Sequence, residues 1–458
     1  MQPFQYWLKT EICFGAGSES KTAALVRKHG GRRILVVYGG GSCVRSGLLG
    51  RICEQLQAEN LTYETFGGVQ PNPRLAHAEL GVQKALAMDA DLILAVGGGS
   101  VIDTAKAIAH GKANPGTPLW SFWSGAQPVT RSLPVGVVLT IPAAGSETSD
   151  SAVLTNEALQ SKRGLSTDFN RPAFAVLDPC LAATLPPYQA ACGVTDILMH
   201  TLDRYFNPVP GNETSDALAE ALLRVVLANG KKVVADPADC HAMSEIMWCG
   251  SLSHNGLTGL GGRKDFAVHQ LGHALSAKYD VAHGASLSAV WRAWAQFVAD
   301  QDGYARFARF ARNVWGIQEE DDEVAAQAAI ARQVQYFREL GVPVSLPELG
   351  FGVLDDGALD HLTELCSYGN TRTIGSFRVL TADDMRTIYA AANGADCGRK
   401  KHVICSDSRL RHRRQRRGGG SDGQPGTVDP KAGSGAPVKV YSGYPGISRQ
   451  SFRGPDYS

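Results

Sequence analysis

The sequence predicts a Rossmann-like α/β domain with a parallel sheet, followed by an all-helical domain. Short β-rich segments alternate with helical segments over residues 1–180, a pattern typical of a parallel sheet with helices on both faces. The proline-containing segment LDPCLAATLPP at 177–187 interrupts this alternation, and the pattern beyond it is almost wholly helical. We therefore expect an α/β domain at 1–184 and an all-helical domain at 185–395.

The individual elements follow from hydrophobic periodicity and from the Gly and Pro residues between them. In the first domain we predict strands at 32–38, 61–69, 91–99 and 133–142, and helices at 48–60, 74–88 and 101–111. In the second domain we predict long helices at 212–235, 241–257, 265–279 and 284–313.

Charge and composition set the C-terminal residues apart. Residues 397–458 hold 13 Lys plus Arg against 4 Asp plus Glu, whereas residues 1–396 hold 32 against 40. The Gly, Ser, Pro and Arg content predicts a disordered basic tail at 396–458, because such a segment cannot bury enough apolar surface to offset its chain entropy. The acidic body disfavours nucleic-acid binding. RLRHRRQRR at 409–417 leaves binding through the tail as an alternative, although the tail has few aromatic residues to stack bases.

Apolar runs and cysteines indicate the cellular compartment. No apolar run approaches the roughly 20 residues of a membrane span. The first residues, MQPFQYWLKTEICFG, lack the pattern of a secretion signal. The ten cysteines are scattered without close repeated pairs, which is typical of reduced thiols. We expect a cytoplasmic protein with no membrane partner.

Two glycine-rich turns indicate a dinucleotide. The turn at Gly97, Gly98, Gly99 and Ser100 stands between a buried-type strand and a helix, where backbone amides and the helix dipole favour a diphosphate. A second turn follows the first strand, where NAD-binding proteins commonly carry an acidic residue for the ribose. Small residues occupy that turn, and a basic residue lies close by; these are Gly39, Gly40, Gly41, Ser42 and Arg45. They leave room and positive charge for a 2′-phosphate, which favours NADP(H) over NAD(H).

Clustered histidines indicate a metal site. Asp196 and His200 in GVTDILMHTLDRYF are four residues apart, on one helix face. HQLGHALSAKYDVAH adds His269, His273 and, after the expected helix end, His283. One carboxylate with two or three imidazoles suits Fe²⁺ or Zn²⁺ better than Mg²⁺ or Ca²⁺, but spacing does not choose between the pairs 269/273 and 269/283. Six other histidines lack such neighbours and are expected at the surface or in the core: His29, His77, His110, His241, His254 and His361.

Eight ordered motifs across residues 1–395 resemble the iron-dependent (group III) alcohol dehydrogenases, within them the NADPH-dependent aldehyde reductase and butanol dehydrogenase branch. They are GGVQPNP, AVGGGSVIDTAKAIA, LTIPAAGSET, FAVLDP, TLPP, GVTDILMHTLDRYF, HQLGHALSAKYDVAHG and LTADDMRTIYAAAN. The resemblance implies a dehydroquinate synthase-like architecture, in which the first domain binds the dinucleotide and the second the metal. It also implies a homodimer.

The resemblance selects the metal ligands as Asp196, His200, His269 and His283. It leaves His273 close to the substrate and the nicotinamide. It also assigns residues to the dinucleotide: Gly97, Gly98 and Ser100 to the diphosphate, Asp103 to the nicotinamide side, Thr140 and Ser146 to the cleft, and Lys162 to the vicinity of the cofactor. His273 and Asp103 are therefore candidates for a direct role in the reaction. The family's Thr-Gly-Ser-Glu pattern is altered here, because Ala144 replaces the Thr.

Together these features imply hydride transfer between NADP(H) and a small aliphatic aldehyde or primary alcohol, with the metal ion polarising the oxygen. A lyase resembling dehydroquinate synthase, dependent on metal and NAD, is the alternative enzyme. Its phosphorylated, polyhydroxylated substrates need several Lys and Arg residues around the metal. The segments expected to form the metal site carry few of them, so the dehydrogenase is favoured.

Overall fold

The computed structural model describes residues 1–394, without the side chains of residues 301 and 302. The predicted tail at 396–458 lies outside the described residues. Within the described residues, no helix has both the length and the apolar character of a membrane span. These residues belong to one compact unit, so the division at 184/185 stays a prediction.

A parallel six-stranded sheet forms the centre of the α/β half. Its strands follow the spatial order β1-β8-β5-β4-β2-β3, and every neighbouring pair is parallel. A separate antiparallel hairpin, β6–β7, was not predicted from the sequence. The strands are β1 (Glu11–Phe14), β2 (Arg33–Gly39), β3 (Thr62–Val69), β4 (Leu92–Gly97), β5 (Val135–Leu139), β6 (Ser151–Asn156), β7 (Ser161–Ser166) and β8 (Phe174–Leu177).

Helices cover both faces of this sheet. They are α1 (Thr22–Lys28), α2 (Ser42–Arg45), α3 (Leu48–Ala58), α4 (Leu75–Ala87), α5 (Gly99–Ala113) and the short α6 (Trp120–Trp123). Successive residues of a strand point to opposite faces. Ile34 and Val36 of β2 pack in one buried cluster with α1 and α3, whereas Leu35 and Val37 pack in another with α4 and α5. The predicted doubly covered parallel sheet is confirmed.

The second half is helical, as predicted. It contains α7 (Pro187–Tyr205), α8 (Glu213–Ala235), α9 (Cys240–His254), α10 (Ala267–Tyr279), α11 (His283–Asp302), α12 (Ala305–Trp315), α13 (Asp322–Leu340), α14 (Asp356–Ser367) and α15 (Ala382–Ala392). The prediction of one helix at 284–313 was wrong. The helix ends before Gly303, whose φ of 80° is outside the helical region.

Candidate functional site

The two predicted glycine turns lie side by side at the carboxyl edge of the sheet. β2 and β4 are neighbours, and the chain leaves them in opposite directions, from β2 towards β3 and from β4 towards β5. Such a reversal in strand order opens a crevice, where α/β proteins bind their ligands. The turn at 39–42 follows β2 and the turn at 97–100 follows β4, so the fold brings both turns to this crevice.

Packing requires glycine in the turn after β4. A Cβ atom on Gly97 would lie 2.5 Å from Val101 Cγ2, and one on Gly98 would lie 2.9 Å from Ile141 Cβ. Gly98 directly precedes α5, a 15-residue helix whose first turn includes Ser100. The open amides of that turn and the helix dipole favour an anionic group. Thr140 lies beside the turn, because its amide donates to the Gly97 carbonyl oxygen at 3.1 Å.

Asp103 belongs to a buried polar network. Its Oδ1 accepts from the Ser146 hydroxyl at 2.5 Å, and its Oδ2 accepts from the Val153 amide at 2.8 Å. The ammonium of Lys106 donates to the Ser146 carbonyl and hydroxyl oxygens at 2.7 and 2.8 Å. Burial raises the pKa of Asp103 and lowers that of Lys106 to about 8. The network joins α5 to the loop after β5, so it orients the wall of the crevice.

Lys162 projects from β7 towards the histidines. It is buried, and its ammonium donates to Asn72 Oδ1 at 2.8 Å. Burial lowers its pKa to about 8, although the nearby carboxylates of Asp196 and Asp103 favour the charged form. The unpredicted hairpin therefore places a cation between the dinucleotide crevice and the histidine cluster.

The predicted metal ligands converge on one carboxylate oxygen. Asp196 Oδ1 lies 3.3 Å from His200 Nδ1, 3.6 Å from His269 Nε2 and 3.7 Å from His283 Nε2. Ligand atoms of Asp196, His200 and His269 all lie within 4.8 Å of one another. His283 is outside that tightest group, but its imidazole faces the same oxygen.

Local structure explains this convergence. Asp196 and His200 share a face of α7, and His269 projects from α10. His283 is the first residue of α11, after a turn at Asp280 with φ of 52°. A Cβ atom on the next residue, Gly284, would overlap the carbonyl oxygen of Cys192 in α7. The His-Gly pair therefore lets the start of α11 approach the backbone of α7.

The donor atoms lack partners, which fits a bound cation. Asp196 Oδ1, His200 Nδ1 and His269 Nε2 are buried and make no hydrogen bond to any described residue. An unpartnered buried polar atom costs free energy, and a divalent ion would satisfy all three at once. Burial lowers the pKa of His200 and of His283 well below the usual range, so both imidazoles are neutral, the form that coordinates metals.

Asp203 is a functional candidate that the sequence prediction missed. Its Oδ2 lies 2.5 Å from His269 Nδ1, and both side chains are buried. Burial lowers the pKa of His269, but Asp203 and Asp196 outweigh burial and raise it to about 8. A carboxylate on the second ring nitrogen fixes the tautomer and turns Nε2 towards Asp196. The spacing from Asp196, seven residues or two helical turns, was the available signal.

His254 lies in the core, as expected, although beside a histidine that is distant in sequence. Its ring centroid lies 4.0 Å from that of His200, because α9 packs beside α7. Its Nδ1 bonds to the carbonyl oxygen of Ala144, the residue that departs from the family pattern. His254 is therefore buried against the histidine cluster and hydrogen-bonded to the loop after β5.

His273 stands beside the cluster. Its ring centroid is 5.3 Å from that of His283, and both of its nitrogens are buried without a hydrogen-bond partner among the described residues. Burial, and then the charge of Lys162, lower its pKa well below the usual range. It lines a narrow pocket together with Lys162, Tyr368 and Arg372.

Family models match both halves of the chain. Residues 9–179 match the model described as iron-containing alcohol dehydrogenase. Residues 189–393 match the C-terminal model of the iron-containing alcohol dehydrogenase family. The chain belongs to the iron-containing alcohol dehydrogenase family. It is therefore an oxidoreductase, and the lyase alternative finds no support.

Individual relatives agree with this family. NADH-dependent butanol dehydrogenase A of Clostridium acetobutylicum is 36% identical over 85% of this chain and 99% of its own. NADPH-dependent aldehyde reductase YqhD of Escherichia coli is 32% identical over 86% and 100%. The crystal structure of NADH-dependent butanol dehydrogenase A from Thermotoga maritima has a TM-score of 0.82 at 31% identity, covering 86% of this chain and 99% of that one. These relatives include NADH- and NADPH-dependent enzymes, so they leave the choice of dinucleotide open.

Proposed function

We propose that this enzyme transfers hydride between NADP(H) and a small aliphatic aldehyde or primary alcohol at a metal ion held by Asp196, His200, His269 and His283. The observation that carries the proposal is the convergence of three imidazole nitrogens, from three helices, on one unpartnered carboxylate oxygen. Membership of the iron-containing alcohol dehydrogenase family supports the reaction class.

The donor set favours Fe²⁺ or Zn²⁺. One carboxylate oxygen and neutral imidazoles make a site of borderline softness, unlike the all-oxygen sites of Mg²⁺ and Ca²⁺. Such an ion supplies Lewis acidity at the aldehyde oxygen, and the nicotinamide supplies the hydride. Asp203 would hold His269 in the tautomer that turns Nε2 towards Asp196.

We assign proton exchange with the alcohol oxygen to His273. Its buried, unpartnered nitrogens and its place at the pocket support this role. Asp103 would act on the nicotinamide side by orienting the crevice, because both of its oxygens already accept hydrogen bonds. A His273→Asn enzyme with full activity and an unchanged pH profile would contradict the assignment of His273.

We propose the dinucleotide to be NADP(H), bound by both glycine turns. Gly39 to Ser42 would receive the 2′-phosphate, and the exposed Arg45 at the end of α2 supports this orientation, because its Nη1 lies 3.3 Å from the position of a Cβ on Gly41. Gly97, Gly98 and Ser100 would bind the diphosphate at the start of α5. Thr140, Ser146 and Lys162 would line the cleft between the sheet and the metal site.

Reduction of butanal tests the proposal. Protein stripped with a chelator should lose activity and recover it with Fe²⁺ or Zn²⁺, and NADPH should be used in preference to NADH. Activity that survived verified metal removal would overturn the metal site. A preference for NADH would overturn only the assignment of the turn at 39–42.

We further propose a homodimer located in the cytoplasm. The dimer rests on the family resemblance, and light scattering after size-exclusion chromatography tests it. The cytoplasmic location rests on the scattered cysteines, all free among the described residues.

A further inference from the structure

The pocket beside His273 is lined by basic side chains and by no acidic ones. It lies between β7, α10 and α14, and its lining includes Lys162, His273, Tyr368 and Arg372 but no Asp or Glu. Amide and hydroxyl groups from Gln160, Ser161 and Gln270 supply further hydrogen-bonding groups in the lining. The cavity is small, about 10 Å³, and Ala274, Ala277 and Leu365 form its apolar wall.

Two guanidinium groups hold one aromatic ring at this pocket. Arg372 lies 3.4 Å from the Tyr368 ring centroid, and Arg163 lies 4.0 Å from it. Tyr368 has φ of 52°, a left-handed conformation that is unfavourable for a bulky residue. A Gly would end α14 at lower cost, as Gly341 ends α13. We therefore attribute the Tyr side chain at this position to its contacts with the two arginines.

These cations are not neutralised within the part of the chain that the structure describes. Neither Arg163 nor Arg372 forms an ion pair with a carboxylate there. Some arginines elsewhere form such a pair: Arg306 Nη2 lies 2.6 Å from Asp216 Oδ1, for example. Arg372 donates through Nε to the Cys366 carbonyl oxygen at 2.9 Å, which fixes the guanidinium at the pocket. A positioned guanidinium binds a carboxylate through parallel hydrogen bonds.

We infer that this pocket binds a carboxylate at the far end of the substrate, so that the enzyme prefers an aldehyde or alcohol that carries an anionic group. The inference rests on the proposed function, because the reacting end must lie at His273 and the metal. Arg372 binds the carboxylate, Arg163 and Tyr368 hold Arg372 in place, and the charge of Lys162 adds to the attraction. Arg372 is a specificity-determining residue in this assignment.

The first experiment compares butanal with 4-oxobutanoate, which has the same chain length and adds one carboxylate. The ratio of kcat/KM for 4-oxobutanoate to that for butanal should exceed one in the native enzyme. It should fall about 10- to 100-fold in Arg372→Gln, the effect of losing a hydrogen bond to a charged group. Arg338→Gln, at an exposed site on α13, is the matched control and should keep the native ratio. A native ratio below one, or an unchanged ratio in Arg372→Gln, would overturn the inference while butanal reduction upheld the proposed function.

A second experiment separates the two proposals if neither aldehyde is reduced. Calorimetry on the metal-loaded protein measures binding of 4-hydroxybutanoate and butan-1-ol without turnover. Tighter binding of 4-hydroxybutanoate, weakened about tenfold or more by Arg372→Gln, would support the anion site even though the proposed reaction had failed. Equal binding of the two alcohols, or binding insensitive to Arg372→Gln, would overturn the anion site.

Discussion

Replacement of Asp203 by Asn should weaken metal binding without unfolding the protein. Asn has nearly the same size, and its amide oxygen can still accept from His269 Nδ1, so the change removes the charge and preserves the packing. The native contact is a 2.5 Å hydrogen bond between a buried carboxylate and a buried imidazole. The hydrogen bond persists in Asp203→Asn but loses its charge, and loss of a charged partner that orients a metal-binding imidazole should weaken metal binding about 10- to 100-fold.

Competition with a coloured chelator measures this effect directly. The apparent dissociation constants for Zn²⁺ and Fe²⁺ would be determined for the native protein, for Asp203→Asn and for Asp360→Asn. Asp360 is 61% exposed on α14, so its substitution is the matched control and should leave metal affinity unchanged. A metal affinity of Asp203→Asn within twofold of the native value would refute the orienting role of Asp203.

Three further predictions concern the cofactor turns and the core. Gly98→Val should lower stability by about 1–3 kcal/mol and weaken NADPH binding, because its Cβ would lie 2.9 Å from Ile141 Cβ. Urea unfolding measures the stability and calorimetry measures NADPH binding. Gly50→Ala, with open space around it, is the control. Arg45→Gln should reduce the kcat/KM ratio of NADPH to NADH about tenfold, and an unchanged ratio would contradict contact with the 2′-phosphate. Burial lowers the pKa of His110 to about 4, so the unfolded chain binds a proton at higher pH than the folded protein does. Stability should therefore fall by about 3 kcal/mol as the pH drops from 6.5 to 4, and urea unfolding of His110→Gln should lack this part of the pH dependence.

Local patterns predicted about half of the elements, because secondary structure depends partly on neighbouring residues. Alternation of apolar segments predicted β2, β3, β4 and β5 to within a few residues, and helical periodicity predicted α8 and α10. The one long error, the helix at 284–313, came from Gly303, because a single glycine in an apolar helical pattern does not by itself show whether the helix continues. The β6–β7 hairpin was missed because SKRGLS lacks the β-branched residues typical of strands.

Some features of the candidate site were likewise predictable from local sequence, and others depended on the whole fold. Residue types and spacing predicted the Asp196–His200 pair and the two glycine turns, since a helix turn and a strand-to-helix turn are local structures. The family resemblance was needed to prefer His283 over His273. Strand order, which decides that the two turns meet, depends on how the whole chain winds and has no local signature.

Contacts between distant segments were decided only by the tertiary structure. Asp203 meets His269 across 66 residues of sequence, and His254 reaches His200 because α9 packs on α7. Arg163 and Arg372 come from a hairpin and from the segment after α14, and the fold brings both of them to the ring of Tyr368. Sequence carries the chemistry of each side chain and the conformation of its nearest neighbours. Packing of the helices on one another decides which of those side chains share an environment, because burial and charge act through space.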